Sequence, residues 1–476
     1  MTDGPVTAGP LILWFRRDLR LTDHPMLAAA VASGRPLIPV YILDNQGDAL
    51  GAAAKFRLDL ALAAFDARLQ AVGSRLILRR GDAQSVLASL ADETGAFGVS
   101  WQRLYDPAAK QRDTAVKAGL RAKGLQCNSF PGQLLFEPWT VETGSGGYYK
   151  VYTPFWRAVK TCNVSVPLAA PTQLLAPKVW PRSDDLSAWK LPAGVNRGVL
   201  ILGKRQQVGE AAAFDRLDRF VAEPVWAYRE DRDFPGLQNA TSGLSENLTW
   251  GEIGPRSIWH AGQRAMQLGA PGAEHFLKEL VWREYAYHLL HHAPQILDQN
   301  WREGWETFPW RGDNPDAELW RRGMTGEPLV DAAMREMYVT GKMHNRARMI
   351  VASYLCKHLL TDWRVGRDWF ADCLTDWDPA ANAMGWQWVA GCGPDASPYF
   401  RVFNPSGQAE KFDAEQVYRR RWVAELSRTP GPDALSYFDA IPKSWGYAPD
   451  RKYPLPMIDL KEGRLRALSA YSERNA

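Results

Sequence analysis

Short apolar runs alternate with amphipathic stretches through the first part of the chain. Four runs have the length of buried β-strands, at 11–15, 36–43, 74–80 and 98–103. Between them, three stretches show apolar residues at helical spacing, at 56–73, 82–95 and 107–123. Strands that alternate with helices predict a parallel sheet covered on both faces. The G-x-G-x-x-G pattern of dinucleotide-binding folds does not follow the first run.

The pattern changes twice after residue 130. Residues 131–205 are rich in proline and glycine and show no sustained period, which is typical of a connection between domains. Apolar residues then return at helical spacing, most clearly at 275–292, 329–341 and 345–360. We therefore expect a Rossmann-like α/β domain over 1–130, an inter-domain linker over 131–205 and an all-α domain over 206–476.

Composition narrows the class of protein. The 476 residues are 46% hydrophobic and 23% charged, which is typical of a soluble globular chain. No run of 18 apolar residues predicts a membrane span, and the first ten residues do not resemble a secretory signal. Five scattered cysteines without a C-x-x-C pair indicate a reduced, cytoplasmic protein. A net charge of +4 permits nucleic-acid binding through a local patch but does not require it.

The stretch TDWDPAANAMGWQW at 375–388 concentrates unusual chemistry. Asp376 and Asp378 lie two positions apart, ahead of Asn382 and of two tryptophans, Trp386 and Trp388. A buried carboxylate is costly unless a cation or a hydrogen-bond donor meets it. The stretch is therefore either a surface loop or part of a site for a polar ligand. The 21 tryptophans of the chain either fill a helical core or also stack on flat ligands and relay electrons.

Three further motifs are weak when taken singly. The hydroxyl cluster at 241–245 precedes a helical pattern, where such groups bind an anion or simply cap the helix. Glu279 and Arg283 share a helix face with Trp282 between them, and the ion pair alone is a routine helix feature. Asn345 shares a face with Met349, which also suits a core position.

Together and in this order, the motifs identify a family. LWFRRDLRLTDHPML at 13–27 resembles the N-terminal signature of photolyases and cryptochromes. Five further motifs follow in the family's order: the hydroxyl cluster at 241–245, ELVWREY, TGEPLVDAAMREMYVTGKMHNRARM, DWRVG and WDPAANAMGWQWVAGCGPDASPYFRVFNPSGQAEKFD. The resemblance covers nearly the whole chain. It is closest to microbial photolyases that repair cyclobutane pyrimidine dimers (CPDs).

The resemblance implies a U-shaped FAD, reduced in the active state. Asn382 matches the residue beside flavin N5, where an amide satisfies the nitrogen without adding charge. Asp376 matches the acid that pairs with Arg348, and Asp378 the acid beside the polar edge of the ring. Gly243 stands where many members have a basic residue, so diphosphate binding is expected to depend more on backbone N–H groups. The other matches to cofactor contacts are Tyr228, Thr241, Ser242, Leu244, Ser245, Glu279, Arg283 and Asn345.

The resemblance also implies an electron relay and a lesion pocket. The relay residues are Trp386, Trp363 and Trp310, of which the first two also suit core positions. The catalytic residues are Glu279, Asn345, Met349 and Asn382. The DNA-binding residues are Trp282 and Trp388, which flank a flipped-out CPD, with Met349, Arg232, Arg346 and Arg401. A solvated surface side chain is the alternative role for each of these arginines.

The implied activity is light-driven repair of CPDs, with electron transfer from excited reduced FAD to the flipped-out lesion. Asn345 and Met349 lie on the helix where (6-4) photolyases carry a histidine pair, which argues against (6-4) repair. Two rivals remain: a cryptochrome-type blue-light photoreceptor without repair, and a light-independent DNA-binding protein. We expect a monomer that binds UV-damaged DNA, double- or single-stranded, and no membrane.

Two further cofactor questions depend on the resemblance. Family members bind a folate, a deazaflavin or a second flavin as an antenna. One subgroup holds folate with an Asn–Glu and a Cys–Lys pair, and the matching positions here are Ala108, Ala109, Leu297 and Asp298. We therefore expect that folate site to be absent, while another pigment site stays open. His288 with His291 or His292 has the spacing of metal ligands but lacks a third ligand, so we expect no metal.

Overall fold

The computed structural model describes residues 9–195, 198–396, 398–399 and 401–474 of the chain. An α/β part built on five parallel strands comes first, and a helical part follows. This is the fold class that the alternating pattern predicts. In this described portion, no helix is both long enough and apolar enough to cross a membrane.

The sheet consists of β1 Leu11–Phe15, β2 Leu37–Leu43, β3 Ile77–Arg80, β4 Gly98–Gln102 and β5 Gln126–Phe130. All its strand pairs are parallel, in the order β3-β2-β1-β4-β5. Every residue of β1, β2 and β4 is buried, because helices cover both faces of the sheet. Burial on both faces explains why these strands appear in the sequence as continuous apolar runs.

Five helices accompany the sheet: α1 Pro25–Ala32, α2 Asn45–Asp48, α3 Ala52–Gln70, α4 Ala83–Thr94 and α5 Pro107–Ala122. Their ends follow from local chemistry. The carboxylate of Asp82 accepts the N–H of Ser85 at the start of α4, and Asp106 does the same for Ala109 in α5. Gly95, with φ of 59°, ends α4 in the left-handed conformation that glycine adopts without strain.

Residues 131–205 run from the sheet onto the helical part. Their described residues contain α6 Tyr152–Val159 and three short 3₁₀ helices, Pro138–Thr140, Leu186–Trp189 and Leu191–Gly194, and they end with the first short helix of the helical part, Val199–Gly203. The segment is held by buried contacts. The carboxylate of Glu284 accepts the backbone N–H groups of Leu135 and Phe136 at 2.7 and 3.3 Å. At these two residues the segment is therefore held against the helical part, despite its proline- and glycine-rich composition.

The helical part contains α7 Val199–Gly203, α8 Glu210–Ala222, α9 Pro224–Asp231, α10 Ser245–Thr249, α11 Pro255–Gln267, α12 Ala273–His292, α13 Pro315–Arg321, α14 Pro328–Thr340, α15 Asn345–Ser353, α16 Trp363–Cys373, α17 Pro379–Ala390, α18 Pro405–Phe412, α19 Val417–Trp422, α20 Pro432–Ala440 and α21 Leu460–Arg474. Short 3₁₀ helices lie at Pro294–Leu297, Ala424–Leu426 and Lys443–Trp445. The helix predicted over 345–360 is α-helical to Ser353 and continues as a π-helix, Tyr354–His358.

Helix α17 has a central place in this arrangement, because α12, α15 and α16 all pack against it. The largest apolar cluster includes Trp363 and Trp386, both almost fully buried, with Trp310, Met349 and Trp388 packed at its margin. Side chains from three helices, α12, α15 and α16, therefore pack around the residues of α17.

Candidate functional site

The two carboxylates of residues 375–388 are both buried, and each has a partner. Asp378 is the N-cap of α17, where its side chain accepts the N–H of Ala381 at 2.9 Å. The same carboxylate accepts the hydroxyl of Tyr287, and the guanidinium of Arg17 lies 3.9 Å away. The surface-loop alternative for this stretch is therefore wrong, because each of the two aspartate residues as a whole is only 8% exposed.

Asp376 forms a two-pronged ion pair with Arg348. One guanidinium nitrogen lies 2.8 and 3.1 Å from the two carboxylate oxygens. Arg348 is also held by its Nε, which donates to the carbonyl of Met343 at 2.9 Å. The Asp376 side chain is 5% exposed, but that of Arg348 is 29% exposed. The pair thus neutralises a buried acid, while part of the guanidinium of Arg348 stays exposed.

The hydroxyl cluster does not cap the helix that follows it. The N-cap of α10 is Leu244, and no side chain supplies a capping hydrogen bond there. Thr241 and Ser245 are exposed. Gly243 has φ of 63°, and no atom lies within 4 Å of where a Cβ would be. The capping alternative is therefore wrong, and the exposed hydroxyl and N–H groups remain available to an anion.

Helix α10 ties the hydroxyl cluster to the two carboxylates. Thr249 donates its hydroxyl to the carbonyl of Asp376 at 3.1 Å, and Trp250 donates its indole N–H to the carbonyl of Thr375 at 3.2 Å. Two motifs more than a hundred residues apart in sequence are thereby adjacent in space. This is the arrangement that a ligand with a diphosphate and a polar ring would require.

A buried charge network that the motifs did not reveal lies beneath this region. Glu246, the residue after Ser245, accepts the hydroxyl of Thr375 at 2.6 Å and pairs with Lys342 at 2.6 Å. Burial raises the pKa of Glu246, but the charges of Lys342, Arg57 and Arg216 outweigh it and lower the pKa below its usual value. An ionised Glu246 thus joins three separate segments. Its position beside the hydroxyl cluster was the only signal in the sequence.

Asn382 lies one turn into α17 and faces the cleft. Its Nδ2 donates to the carbonyl of Arg367 at 3.1 Å, which orients the amide so that its oxygen can accept another hydrogen bond. The buried indole N–H groups of Trp377 and Trp386 have no partner among the described residues. Buried polar groups normally have one, so a bound polar group would satisfy them. These observations, with the exposed hydroxyls and Arg348, fit a flavin dinucleotide.

Trp386 contacts α16 so closely that only glycine fits opposite it. A Cβ built on Gly366 would lie 2.0 Å from the ring of Trp386. The ring of Phe370, one turn further along α16, meets the same indole edge-on at 4.9 Å. Gly366 is therefore required for the close approach of α16 and α17, and the sequence motif DWRVG did not disclose this role.

The other two predicted relay residues lie on neighbouring segments. Trp363 is fully buried, and its indole N–H donates to Asn300 at 2.9 Å. Trp310 is half-buried and stacks on Trp305 at 5.4 Å. The residue after Trp310, Arg311, exchanges backbone hydrogen bonds with the segment 360–362. This pairing holds Trp310 beside the start of α16, where Trp363 lies.

The acid and the arginine of ELVWREY do not pair with each other. Glu279 pairs with Arg232 of the segment that follows α9. Arg283 instead donates to the carbonyl of Gln133 at 2.9 Å and to Glu284 at 3.1 Å. Burial raises the pKa of Glu284 to about 7, although Arg283 opposes this shift. The routine helix pair considered for Glu279 and Arg283 is therefore wrong, and Arg283 contacts residues 131–205 instead.

The remaining predicted residues occupy three helices around α17. Trp282 of α12, Met349 of α15 and Trp388 of α17 are each half-buried, while Asn345 at the start of α15 is exposed. Helices α12 and α15 each pack against α17, the helix that carries Trp388. The ring of Tyr228 lies edge-on to Phe220 at 5.3 Å, and the guanidinium of Arg232, the partner of Glu279, lies 5.3 Å from its ring centre.

The predicted DNA-contacting arginines differ in their partners. Arg346 pairs with Asp233, and its guanidinium lies 4.5 Å from the ring centre of Phe412. Arg232 pairs with Glu279, whereas Arg401 is exposed. In the part of the chain described here, no group of three or more His, Cys, Asp or Glu residues is arranged to hold a metal ion.

A cavity of about 400 Å³ separates the carboxyl edge of the sheet from α16 and α17. Its α/β wall includes Arg16, Tyr41 and Asp44, and its helical wall includes Trp377 and Asn382. Three of the positions compared with the folate-binding pairs also line it, namely Ala108, Leu297 and Asp298. The volume lies within the range of small-molecule sites, about 300–1,000 Å³.

Comparisons with known proteins place these features in a family context. A family model described as the FAD binding domain of DNA photolyase matches residues 276–473, and one described as DNA photolyase matches residues 11–173. The deoxyribodipyrimidine photo-lyase of Agrobacterium fabrum is 47% identical, over 97% of this chain and 98% of that protein. Cryptochrome-1 of Arabidopsis thaliana is 32% identical, over 98% of this chain and 71% of that protein.

The chain is also similar to solved structures of photolyases and of a cryptochrome. A bacterial class III photolyase from Agrobacterium tumefaciens matches with a TM-score of 0.90 and 46% identity, over 99% of both chains. A cryptochrome from Synechocystis matches with a TM-score of 0.84 and 28% identity, over 99% of this chain and all of that one. A photolyase from Sulfolobus tokodaii, described with two FAD molecules, matches with a TM-score of 0.79 and 26% identity, over 98% and 100%.

Proposed function

The chain belongs to the DNA photolyase family, and from this premise we propose that it repairs cyclobutane pyrimidine dimers in DNA with light. The observation that carries the proposal is the packing of α12 and α15 against α17. In the proposed arrangement, Trp282, Met349 and Trp388 would line a lesion pocket next to the segment that bears Asp376 and Asn382. A lesion pocket and a flavin site would then share one wall, which is what direct electron transfer needs.

The lesion pocket offers flat and adaptable faces. Trp282 and Trp388 would stack on the two faces of a dimer flipped out of the duplex, and Met349 would fill the space between them. Flipping costs a few kcal/mol, and less for a lesion that already weakens stacking and pairing. Glu279 would meet the carbonyl edge of the dimer. Arg232, which pairs with Glu279, would bind a neighbouring phosphate.

The flavin site uses the residues described above. The hydroxyl groups and N–H groups of 241–245 would hold the diphosphate, Arg348 with Asp376 would face the ring, and the amide oxygen of Asn382 would accept from N5–H. When bound, reduced FAD supplies under light the electron that splits the cyclobutane ring and receives it back. The protein holds the reactants in place and excludes water, and it needs no nucleophile or metal.

Trp386, Trp363 and Trp310 would return an oxidised flavin to the reduced state. Trp386 lies on α17 one turn after Asn382, Trp363 begins α16, and the partly exposed Trp310 can exchange electrons with solutes. Indole suits this role because it is more easily oxidised than a phenyl ring. Their burial also stabilises the core, and the two roles are compatible.

DNA would be held mainly through its phosphates, without base readout. Arg232, Arg346 and Arg401 are the proposed contacts. Two of them now pair with Glu279 and Asp233. Phosphates would compete with these half-buried carboxylates, so affinity for both double- and single-stranded DNA should fall steeply with salt. We propose a cytoplasmic monomer.

The cavity between the sheet and α17 would hold an antenna pigment. Asn382 belongs to its wall, so a pigment there would lie close to the flavin. Tyr41 and Trp377 provide aromatic surface for a flat ring, and four arginines and four aspartates line the remainder. The two-flavin photolyase of Sulfolobus tokodaii shows that this fold accommodates a second pigment. Mass spectrometry of pigments released from the purified protein tests this assignment.

Blue-light repair of defined oligonucleotides tests the main proposal. We expect repair of a CPD substrate and none of a (6-4) substrate, because neither the amide of Asn345 nor the thioether of Met349 donates a proton readily. Trp282→Ala should weaken CPD binding by about 1–3 kcal/mol, the typical value for base stacking, and leave binding to undamaged duplex nearly unchanged. Absence of CPD repair by the FAD-loaded, reduced protein would favour a photoreceptor without repair activity.

A further inference from the structure

Trp282, the proposed lesion-stacking indole, has one face already covered. The ring of Tyr152 lies on it in a parallel stack, with 3.7 Å between ring centres and 7° between planes. Tyr285 meets the same indole edge-on at 5.7 Å and 76°. A base can therefore stack on Trp282 only from the side opposite Tyr152. Tyr152 begins α6, in the stretch of sequence that showed no period.

Tyr152 is itself anchored both to α12 and to the segment that follows α17. Its hydroxyl donates to the carbonyl of Lys278 at 2.7 Å, one turn before Trp282 on the same helix. Its backbone N–H donates to the carboxylate of Asp395 at 3.1 Å. Asp395 lies five residues after α17, the helix that carries Trp388, and has φ of 46°, a conformation that aspartate tolerates better than most residues. The start of α6 thus links α12, which carries Trp282, to the segment that follows α17, the helix of Trp388.

We propose that Tyr152 is a positioning residue for lesion recognition, which holds the indole of Trp282 at the orientation and separation from Trp388 that a flipped-out pyrimidine dimer requires. This inference rests on the proposed function and assigns a role to residues 131–205 within it. An indole without a stacking partner turns about two side-chain torsions and loses that freedom on binding. A pre-stacked indole has already lost it, so more of the stacking energy contributes to affinity.

Two features make Tyr152 suited to this role. Phe155 and Val159 bury α6 independently, with Phe155 5.4 Å from Tyr285, so the helix does not depend on Tyr152 alone. Burial, and after it the negative charge of Glu279, raises the pKa of the Tyr152 hydroxyl. The hydroxyl therefore remains a donor to Lys278 at every pH at which the protein would act.

Binding of the FAD-loaded protein to matched duplexes, with and without one CPD, tests the inference. Tyr152→Leu should raise the Kd for the CPD duplex by about two- to tenfold, the equivalent of one aromatic pair, and leave the Kd for undamaged duplex unchanged. In repair, KM should rise while kcat is kept, because the stack acts on binding and not on electron transfer. Tyr152→Phe keeps the ring and should restore most of the preference for the lesion.

Tyr149→Leu is the matched control. Tyr149 lies in the same segment and packs on Phe155 and His288, but it makes no ring contact with Trp282. It should leave the ratio of the two Kd values unchanged. If Tyr152→Leu loses its FAD, Asp395→Ala takes its place as the test. This variant removes the hydrogen bond between Asp395 and the backbone N–H of Tyr152 and keeps every aromatic ring. It should reduce the preference for the CPD duplex.

Three results would overturn the inference: an unchanged preference in both Tyr152→Leu and Asp395→Ala, an equal loss of affinity for both duplexes, or no rescue by Tyr152→Phe. Each of these presumes that the wild-type protein prefers the CPD duplex. A wild-type protein without that preference would refute the proposed function itself, and the role of Tyr152 with it. The two failures are therefore distinguished by the wild-type measurement.

Discussion

Gly366→Ala is a small change with a large expected effect on light-driven flavin reduction. A methyl group there would lie 2.0 Å from Cη2 of Trp386 and 2.4 Å from Cζ3. To reach the 3.4 Å at which ordinary contact begins, the indole must move by about 1.4 Å or α16 must separate from α17. Overpacking of this kind costs about 1–3 kcal/mol of stability. The movement acts on the residue that would donate the first electron to the flavin.

Two assays separate the consequences. Photoreduction of oxidised FAD under steady blue light, without DNA, should slow by about tenfold or more, since displacements of about 1 Å at a reacting centre have effects of this size. Repair of CPDs after chemical reduction of the flavin should continue, because it does not use Trp386. Gly407→Ala in α18 is the control, since its nearest side-chain or backbone contact is at 4.0 Å. Photoreduction by Gly366→Ala at the wild-type rate would refute this reasoning.

Two other predictions use the same preparations. Trp363→Phe should abolish photoreduction yet keep repair by chemically reduced protein, and photoreduction at the wild-type rate would mean that other tryptophans carry the electron. Burial, and then the charge of Asp331, raises the pKa of Glu327 from 4.5 to about 7. The folded state therefore keeps a proton that the unfolded state loses, so stability should fall between pH 4.5 and 7 by up to about 3 kcal/mol, and Glu327→Gln should remove that fall. Urea unfolding at pH 5 and pH 8 measures the change in stability. An equal pH dependence in the wild-type protein and in Glu327→Gln would contradict the assignment to Glu327.

The sheet shows which parts of a fold can be predicted from one sequence. The apolar run at 11–15 corresponds to β1 because burial on both faces demands continuous apolar residues. Strand β5, Gln126–Phe130, was not predicted. It pairs with β4 alone at the edge of the sheet, and Gln126 and Asn128 are exposed, so no apolar run marks it. Helix α1 was also missed, because PMLAAAVA is apolar on nearly every side.

The residues of the candidate site also divide into those that could be predicted from the sequence and those that could not. Asp376, Arg348 and Asn382 could be assigned through the family motifs, and the ion pair of the first two follows from charges that must be neutralised when buried. Contacts between residues from unrelated stretches of the sequence could not be predicted. Glu246 meets Lys342 across nearly a hundred residues, and Tyr152 meets Trp282 across 130 residues that include several helices. No periodicity records such contacts, since they depend on how whole helices pack.

The arrangement of side chains on α17 gives a physical reason why substitutions should alter flavin photoreduction and CPD repair separately. Asn382 and Trp386 are one turn apart and share a face, and that face meets Gly366 and Phe370 of α16. Trp388 is two positions further, on nearly the opposite side of the helix. If the proposed roles hold, electrons enter the flavin from the α16 side and the lesion receives them near the other face. Substitutions on α16 should then change photoreduction without changing CPD affinity, whereas substitutions around Trp282 and Tyr152 should do the reverse.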